Sequence, residues 1–214
     1  MRKGLMLVGA GGFGREVLWW IRTQYNNEFG RIGFVDNAPE LAKQEIDCVP
    51  VVGDDDWLAN YRHEVNAVIA IANPGIRENV YNKLKENPLI SFPSIIAGDA
   101  KIADSASIGK GCIVGFSSIV SINAALSDFV VVNPHSSIAH DTKVGSFSTL
   151  YYNVNLAGNV CIRSHVEIGS SATVIQGKTI GEQSVIGSGS VVIRDIPPNC
   201  IAVGMPANPI KIKT

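Results

Sequence analysis

Val132-Asn133-Pro134-His135-Ser136-Ser137, Ile138-Ala139-His140-Asp141-Thr142-Lys143 and Val144-Gly145-Ser146-Phe147-Ser148-Thr149 are three successive six-residue units of one pattern. Each opens on a large aliphatic and carries a small residue four places later. Followed outward in both directions, the register holds without a skip over seventeen units, from Ile96 to Pro197. Every sixth residue is Ile, Val or Leu, and the residue four places on is small or β-branched except at Lys178. A period of six fits neither the 3.6 of a helix nor the two-residue alternation of a long strand. It is the signature of a parallel β-helix in which each unit is one short strand and one corner. The aliphatic fills the interior, and the small residue is expected to let the chain turn. One unit cannot bury its own apolar side chain, so each depends on the coil beneath it. Three units make a coil, so residues eighteen apart stack at the ~4.8 Å spacing of neighbouring strands. The period does not set the handedness.

A chain of 214 residues holds one or two domains. With 46% hydrophobic and 17% charged residues it has ample core, and a net charge of −1 gives no reason to expect nucleic acid or an anionic membrane as partner. Met1–Ala10 is basic and then apolar, but Gly11, Gly12, Arg15 and Glu16 cut the run short of a signal peptide or membrane span. Cys48, Cys112, Cys161 and Cys200 form no CxxC pair and read as reduced thiols.

Ahead of the hexads, Leu5–Val8 reads as a buried strand running into Gly9-Ala10-Gly11-Gly12-Phe13-Gly14, and Arg15–Thr23 as the helix that follows. Ile32–Val35 is a second strand ending at Asp36, and Ala67–Ala72 a third, followed by a helix over 76–86; Ile90–Phe92 gives a short last strand. This is a βαβ pattern of Rossmann type. Glycines at Gly9, Gly11, Gly12 and Gly14 permit a tight turn and close approach of a phosphate to helix-terminal N–H groups. Asp36, at the tip of the second strand, suits a ribose or sugar hydroxyl. A full dinucleotide domain needs two such halves, so the length available favours one nucleotide, such as the nucleoside diphosphate of an activated sugar.

Of the histidines, His63 sits in a polar surface stretch, and His165 should point outward, stacked between Phe147 and Gln183. His140 stacks on Ile122 and under Gly158, and the next column is Asn123, Asp141, Asn159. A glycine against an outward imidazole leaves a slot with an approachable N–H, a donor able to stabilise an oxyanion beside a group able to take a proton at neutral pH. An exposed corner histidine beside a coincidental glycine is the alternative.

The segments Ile138-Ala139-His140-Asp141 and Leu156-Ala157-Gly158-Asn159, with the Gly-rich N-terminal region, the uninterrupted hexads and the closing Gly204-Met205-Pro206-Ala207, resemble the bacterial hexapeptide-repeat nucleotide-sugar acetyltransferases of the bacillosamine and perosamine N-acetyltransferase and sialic acid O-acetyltransferase type. The resemblance implies a Rossmann-like nucleotide-sugar-binding domain over 1–95, a left-handed β-helix over 96–197 and a C-terminal tail over 198–214. It implies His140 as general base assisted by Asp141, Gly158 as the N–H donor to the acetyl carbonyl, and Asn133 beside the site. Acetyl-CoA as cosubstrate would run past Ser170, Gly177 and Ser188 toward Gly204, Pro206 and Ala207. Phe13 would join the glycines and Asp36 around the nucleotide sugar, although many members carry His at that place. A homotrimer in the cytoplasm, with each site between two prisms, is also implied, and Ile113, Ile119, Ile122 and Val131 are expected as its outward apolar residues. No metal is expected. Two rivals stand beside N-acetylation: O-acetylation of a sialic acid hydroxyl, and a zinc lyase using His135 and His140, whose spacing resembles part of the γ-carbonic-anhydrase ligand set.

Overall fold

The computed structural model describes residues 2–25 and 28–213. Met1, Asn26, Asn27 and Thr214, which fall within the expected N-terminal domain and tail, lie outside the described residues. The chain divides into two compact units, 1–95 and 96–214.

In the first unit, β1 (Gly4–Val8), β2 (Ile32–Val35), β3 (Glu45–Ile46), β4 (Val49–Gly53), β5 (Val65–Ile69) and β6 (Ile90–Ser91) form one sheet in the order β3-β4-β2-β1-β5-β6. All neighbours are parallel except the β3–β4 hairpin. Helices α1 (Gly12–Gln24), α2 (Asp55–Ala59) and α3 (Pro74–Leu84) complete it. Fully buried Leu5, Leu7, Val17, Phe34, Leu58 and Leu84 form the core. The chain steps outward from β1 to β2 to β4 and then returns to the far side of β1 for β5, so the order reverses between β1 and β5, where open α/β sheets bind ligands.

Several elements differ from the sequence reading. Helix α1 starts at Gly12 rather than Arg15, so Gly12 and Gly14 are inside its first turn. The third predicted strand is Val65–Ile69, not 67–72, because the chain is already turning toward Asn73, whose side chain accepts from Ile76 N to cap α3. The β3–β4 hairpin and α2 were not foreseen. Pro50 within β4 is exposed, while Val49 and Val51 on either side point into the core.

In the second unit every hexad contributes one two-residue strand, from Ile95–Ile96 to Val191–Val192, and the strands fall into three sheets. Partners are eighteen residues apart on all three faces, as in Val114↔Val132, Val120↔Ile138 and Leu126↔Val144. From Val114 to Val192 the inward aliphatics are 2% exposed or less; Ile96, Ile102 and Ile108, in the first coil, are partly buried. The result is a left-handed parallel β-helix. Parallel crossovers normally run the other way, a preference that comes from strand twist, which two-residue strands scarcely develop.

The corner works differently from expectation. From Cys112 onward the small residue four after the aliphatic points inward and is buried; at Ser118, Ser136 and Thr142 its hydroxyl donates to a carbonyl fifteen residues on, to Asn133 O, Tyr151 O and Ala157 O at 2.8–3.2 Å. The turn itself is made one residue earlier, where Asn123, His135, Asp141, Asn153, Asn159 and His165 have φ of 56–64°. Those types tolerate the left-handed region best among residues with a Cβ. Accordingly, Asn153→Val should cost about 1–2 kcal/mol, and Asn153→Gly should be close to neutral, read as the shift in urea midpoint at constant m-value.

The hexads end at Pro197, and the C-terminal tail that follows carries two further strands. Cys200–Gly204 and Ala207–Ile212 form an antiparallel hairpin that extends the first face through Val185↔Ile201. It buries Cys200, Ala202 and Ala207 against the interior. Among the described residues no helix is long and apolar enough to cross a membrane.

Candidate active site

His140 lies two residues after inward Ile138, on the corner that closes the second face. Its side chain is 54% exposed, and Nδ1 sits 2.8 Å from Asp141 Oδ2. Asp141 takes the left-handed corner position, with φ of 60°. Its other oxygen, Oδ1, accepts from Asn123 Nδ2 at 3.1 Å, one coil below. The His140 hydrogen bond first, and the Asn123 one next, hold the Asp141 carboxyl below the usual carboxylate range. An ionised carboxylate only accepts hydrogen bonds, so in the neutral ring Nδ1 carries the proton and Nε2 keeps its lone pair.

Gly158 lies against that ring. A Cβ built there would stand 2.5 Å from both Cε1 and Nε2 of His140. Asn159 N donates to His140 O, and Gly177 N donates to Gly158 O. Gly158's own N–H donates to no other group among the described residues. A proton acceptor and an unspent donor thus sit side by side, the arrangement acyl transfer needs.

The other predicted prism residues are not all on this corner. Gly177 is, two coils above Asp141, with φ of 72°. Ser170 and Ser188 sit on the corner closing the first face and line a cleft of about 300 Å³ with Tyr151, Glu167, Gly169 and Gly187. The Gly204–Ala207 turn belongs to the hairpin on that face, with Gly204 N donating to Ser190 Oγ at 3.1 Å and the Met205–Pro206 peptide cis. Within one chain, the expected single track past Ser170, Gly177 and Ser188 is therefore split between two corners. Asn133 is 3% exposed and donates its amide to Leu150 O, so its side chain is committed to the prism wall. Ile113 and Val131 are fully buried and leave the list of outward residues, whereas Ile119 and Ile122 are 47% and 58% exposed.

His165 stacks on Phe147 at 5.4 Å between centroids, and Phe147 on Phe129 at 5.2 Å, a ladder that seats His165 in packing. His135 is on the first-face corner and His140 on the second, so they do not share the column a common metal would need. Among the described residues no group of three His, Cys, Asp or Glu is placed to hold a metal ion.

In the first unit, Gly9 takes φ of 104° and approaches Ala70 O, and any Cβ on Gly14 would overlap the Gly9 carbonyl oxygen. Gly11 and Gly12, at the start of α1, have open space where a Cβ would be, and no side chain caps the helix. Bare helix-terminal N–H groups are a ready anion site. Phe13 is held edge-on to Trp20 at 6.2 Å. Asp36 is engaged from within the chain: Oδ2 accepts from Ala10 N at 2.8 Å and Oδ1 from Ala38 N at 2.9 Å. The carboxylate clamps the Gly-rich loop, yet it still borders two clefts. One, of about 310 Å³, is lined by Asn37, Pro39, Lys43, Val52 and Asp54; the other, of about 170 Å³, by Gly9, Asn37, Asp55, Ile71 and Ile76.

Two supporting groups escaped the sequence reading. Asn37 Nδ2 donates to Asp55 Oδ2 at 2.7 Å while Asp55 N donates to Asn37 Oδ1, and burial raises the Asp55 carboxyl above its usual range. Arg77, fully buried, donates to the carbonyls of Ile71 and Ala72 and so fixes the loop after β5. Asp55 lies in a helix too short to announce itself, and Arg77 on a helix face reads as solvated until its depth is known.

Comparison with known proteins bears on both units. A family model described as the PglD N-terminal domain matches residues 4–84. GDP-perosamine N-acetyltransferase from Escherichia coli O157:H7 is 29% identical over 190 residues, covering 86% of this chain and 82% of that protein. PerB from Caulobacter crescentus, solved with CoA and GDP-perosamine, is 27% identical with a TM-score of 0.88, covering 97% of each chain. The chain is similar to the hexapeptide-repeat sugar acetyltransferases across both units. The acetyltransferase domain of PglB from Neisseria gonorrhoeae FA1090, solved with acetyl coenzyme A, is a further relative of this acetyltransferase fold, at 28% identity and a TM-score of 0.90 over 98% of this chain and 100% of that one. Some curated matches are partial: the chain spans 40% of a putative acetyltransferase from Schizosaccharomyces pombe and 26% of galactoside O-acetyltransferase from Escherichia coli K12.

Proposed function

We propose that this protein transfers the acetyl group of acetyl-CoA to the amino group of a nucleotide-linked amino sugar. The observation that carries the reading is the imidazole of His140 lying against the bare backbone of Gly158, with Nδ1 engaged by Asp141. Nε2 of His140 takes a proton as the sugar amine attacks the thioester carbonyl carbon. The Gly158 N–H receives the oxyanion that forms. Collapse of the tetrahedral adduct breaks the C–S bond, and the imidazolium returns its proton to the departing thiolate. No acyl-enzyme is needed. Relatives crystallised with CoA, acetyl-CoA and GDP-perosamine support the choice of cosubstrate and of a nucleotide-linked acceptor. So does the first unit, with open N–H groups at Gly11 and Gly12 for phosphate and two clefts beside Asp36 for the nucleoside.

The split between the two corners is resolved in a homotrimer. The His140 corner of one prism would face the Ser170–Ser188 corner of the next, and exposed Ile119 and Ile122 would be covered there. The expected mass in solution is three times 22.8 kDa, read by light scattering, and a monomer at working concentration would remove this arrangement. With acetyl-CoA and a nucleotide sugar as substrates, the reaction would run in the cytoplasm.

The deciding experiment follows CoA release with a panel of amino-sugar nucleotides, free amino sugars and free sialic acids. Turnover confined to amino-sugar nucleotides is expected. Preference for a free sialic acid would replace the N-transfer reading by O-acetylation, and no CoA release with any acceptor would overturn both.

A further inference from the structure

We propose that Asn123 is a positioning residue of the transfer centre, acting on His140 through Asp141. The inference rests on the reading of His140 as the base and adds to it a contact from the coil below. Asp141 has one carboxylate oxygen for each neighbour: Oδ2 lies 2.8 Å from His140 Nδ1, and Oδ1 receives the Asn123 amide at 3.1 Å. Asn123 is itself fixed, because its backbone N donates to Ser105 Oγ at 3.1 Å. Ser105, Asn123 and Asp141 succeed one another every eighteen residues up one corner, so the coil spacing itself lines up the donors.

The arrangement matters because Asp141 is exposed. Its side chain is 44% accessible, and a carboxylate held at one oxygen alone can rotate into water. With both oxygens engaged, its plane is set, and so is the plane of the imidazole that donates to it. The ring must stay in that plane to keep Nε2 beside Gly158. The surroundings leave little else to orient it. Ile122 below, Ala139 alongside, and Gly158 and Asn159 above carry no charge, while Lys143 opens the next face. The groups acting on the Asp141 carboxyl are His140 and Asn123.

Asn123 has φ of 56°, so the informative substitutions are those that accept left-handed backbone. Asn123→Gly removes the amide without strain, and Asn123→Asp removes the donor and adds a charge. For Asn123→Gly the expected result is a roughly tenfold lower kcat with KM for acetyl-CoA retained, since the base is displaced rather than lost. For Asn123→Asp, two carboxylates now favour the imidazolium, so the acid limb of the kcat profile should move up by about half a pH unit. The double variant Asn123→Gly/Asp141→Asn should be no slower than Asp141→Asn alone, because the relay is already broken. A purely structural corner residue would give additive losses and an unmoved pH profile, and either result overturns the proposal. If His140→Ala keeps its rate, the underlying reading has failed; if that variant is inactive while both Asn123 variants match wild type, only the inference about Asn123 has.

Discussion

His140→Ala should lower kcat by at least ~10²-fold, the contribution of a positioned general base, with the fold unchanged. The side chain is half exposed and its contact is with a neighbouring exposed carboxylate, a pairing that adds little to stability. Removing it leaves Asp141 still hydrogen-bonded to Asn123, so no buried charge is stranded. Binding should persist as well, because the nucleotide contacts proposed above lie in the first unit and the loss falls on a group proposed to act as the transition state forms. A lowered kcat at similar KM is the pattern of such a loss. The pH dependence gives a second reading. In the wild type an imidazolium cannot take a proton, so kcat falls as pH drops through the imidazole titration. That acid limb should be missing from what remains in the variant. Steady-state kinetics from acid to alkaline pH, beside a thermal melt, make the check, and near-normal turnover with an unchanged acid limb would remove His140 from the chemistry.

Much of the second unit was legible because its physics is periodic. Once Val132, Ile138 and Val144 are seen six apart, the inward set, the three faces and the eighteen-residue stacking follow, and with them the approach of Gly158 to His140. What stayed hidden was conformational. A small residue four after the aliphatic is visible in the sequence, but the reason is interior space and a buried carbonyl at Ser118 or Thr142, and the turn is made by the residue before it. Asn123 stood in the right column for its role, yet column membership alone does not say that an amide points along the prism to Asp141. Burial of Ile113 and Val131 was hidden for a related reason: the outward position on a short strand does not say what covers it.

The first unit was legible as far as its glycines. Gly9 and Gly14 must be glycine because the loop and helix meet at the Gly9 carbonyl. Asp36 was found by its spacing, but its partners within the chain were not: a carboxylate at a strand tip can hold a ligand hydroxyl or loop N–H groups, and here each oxygen accepts one N–H, from Ala10 and Ala38. Hairpin β3–β4 stayed hidden because its strands, of two and five residues, are too short to show a clear alternation.

Gly158→Ala tests the slot rather than the base. Gly158 does not share the left-handed backbone of Gly177 and Gly189, so alanine is conformationally allowed. By reducing the freedom of the unfolded chain it should leave the melting temperature level or slightly higher. The new methyl, however, would stand 2.5 Å from Cε1 and Nε2 of His140, where carbon contacts normally lie at about 3.5–4.0 Å. The ring has to swing off, surrendering its bond to Asp141, and the methyl then occupies the place proposed for the acetyl carbonyl. A loss of ~10²-fold or more in kcat is expected, the scale of a spoiled oxyanion donor. A stable protein with little turnover is an outcome that strain in the prism could not produce. The double variant with His140→Ala separates the two effects: with no ring to displace, the alanine should add only the cost of the filled slot, so the combined loss should fall short of the product of the two single losses. Wild-type turnover in Gly158→Ala would mean that the thioester is bound away from this backbone position, and the transfer centre would have to be sought elsewhere on the prism.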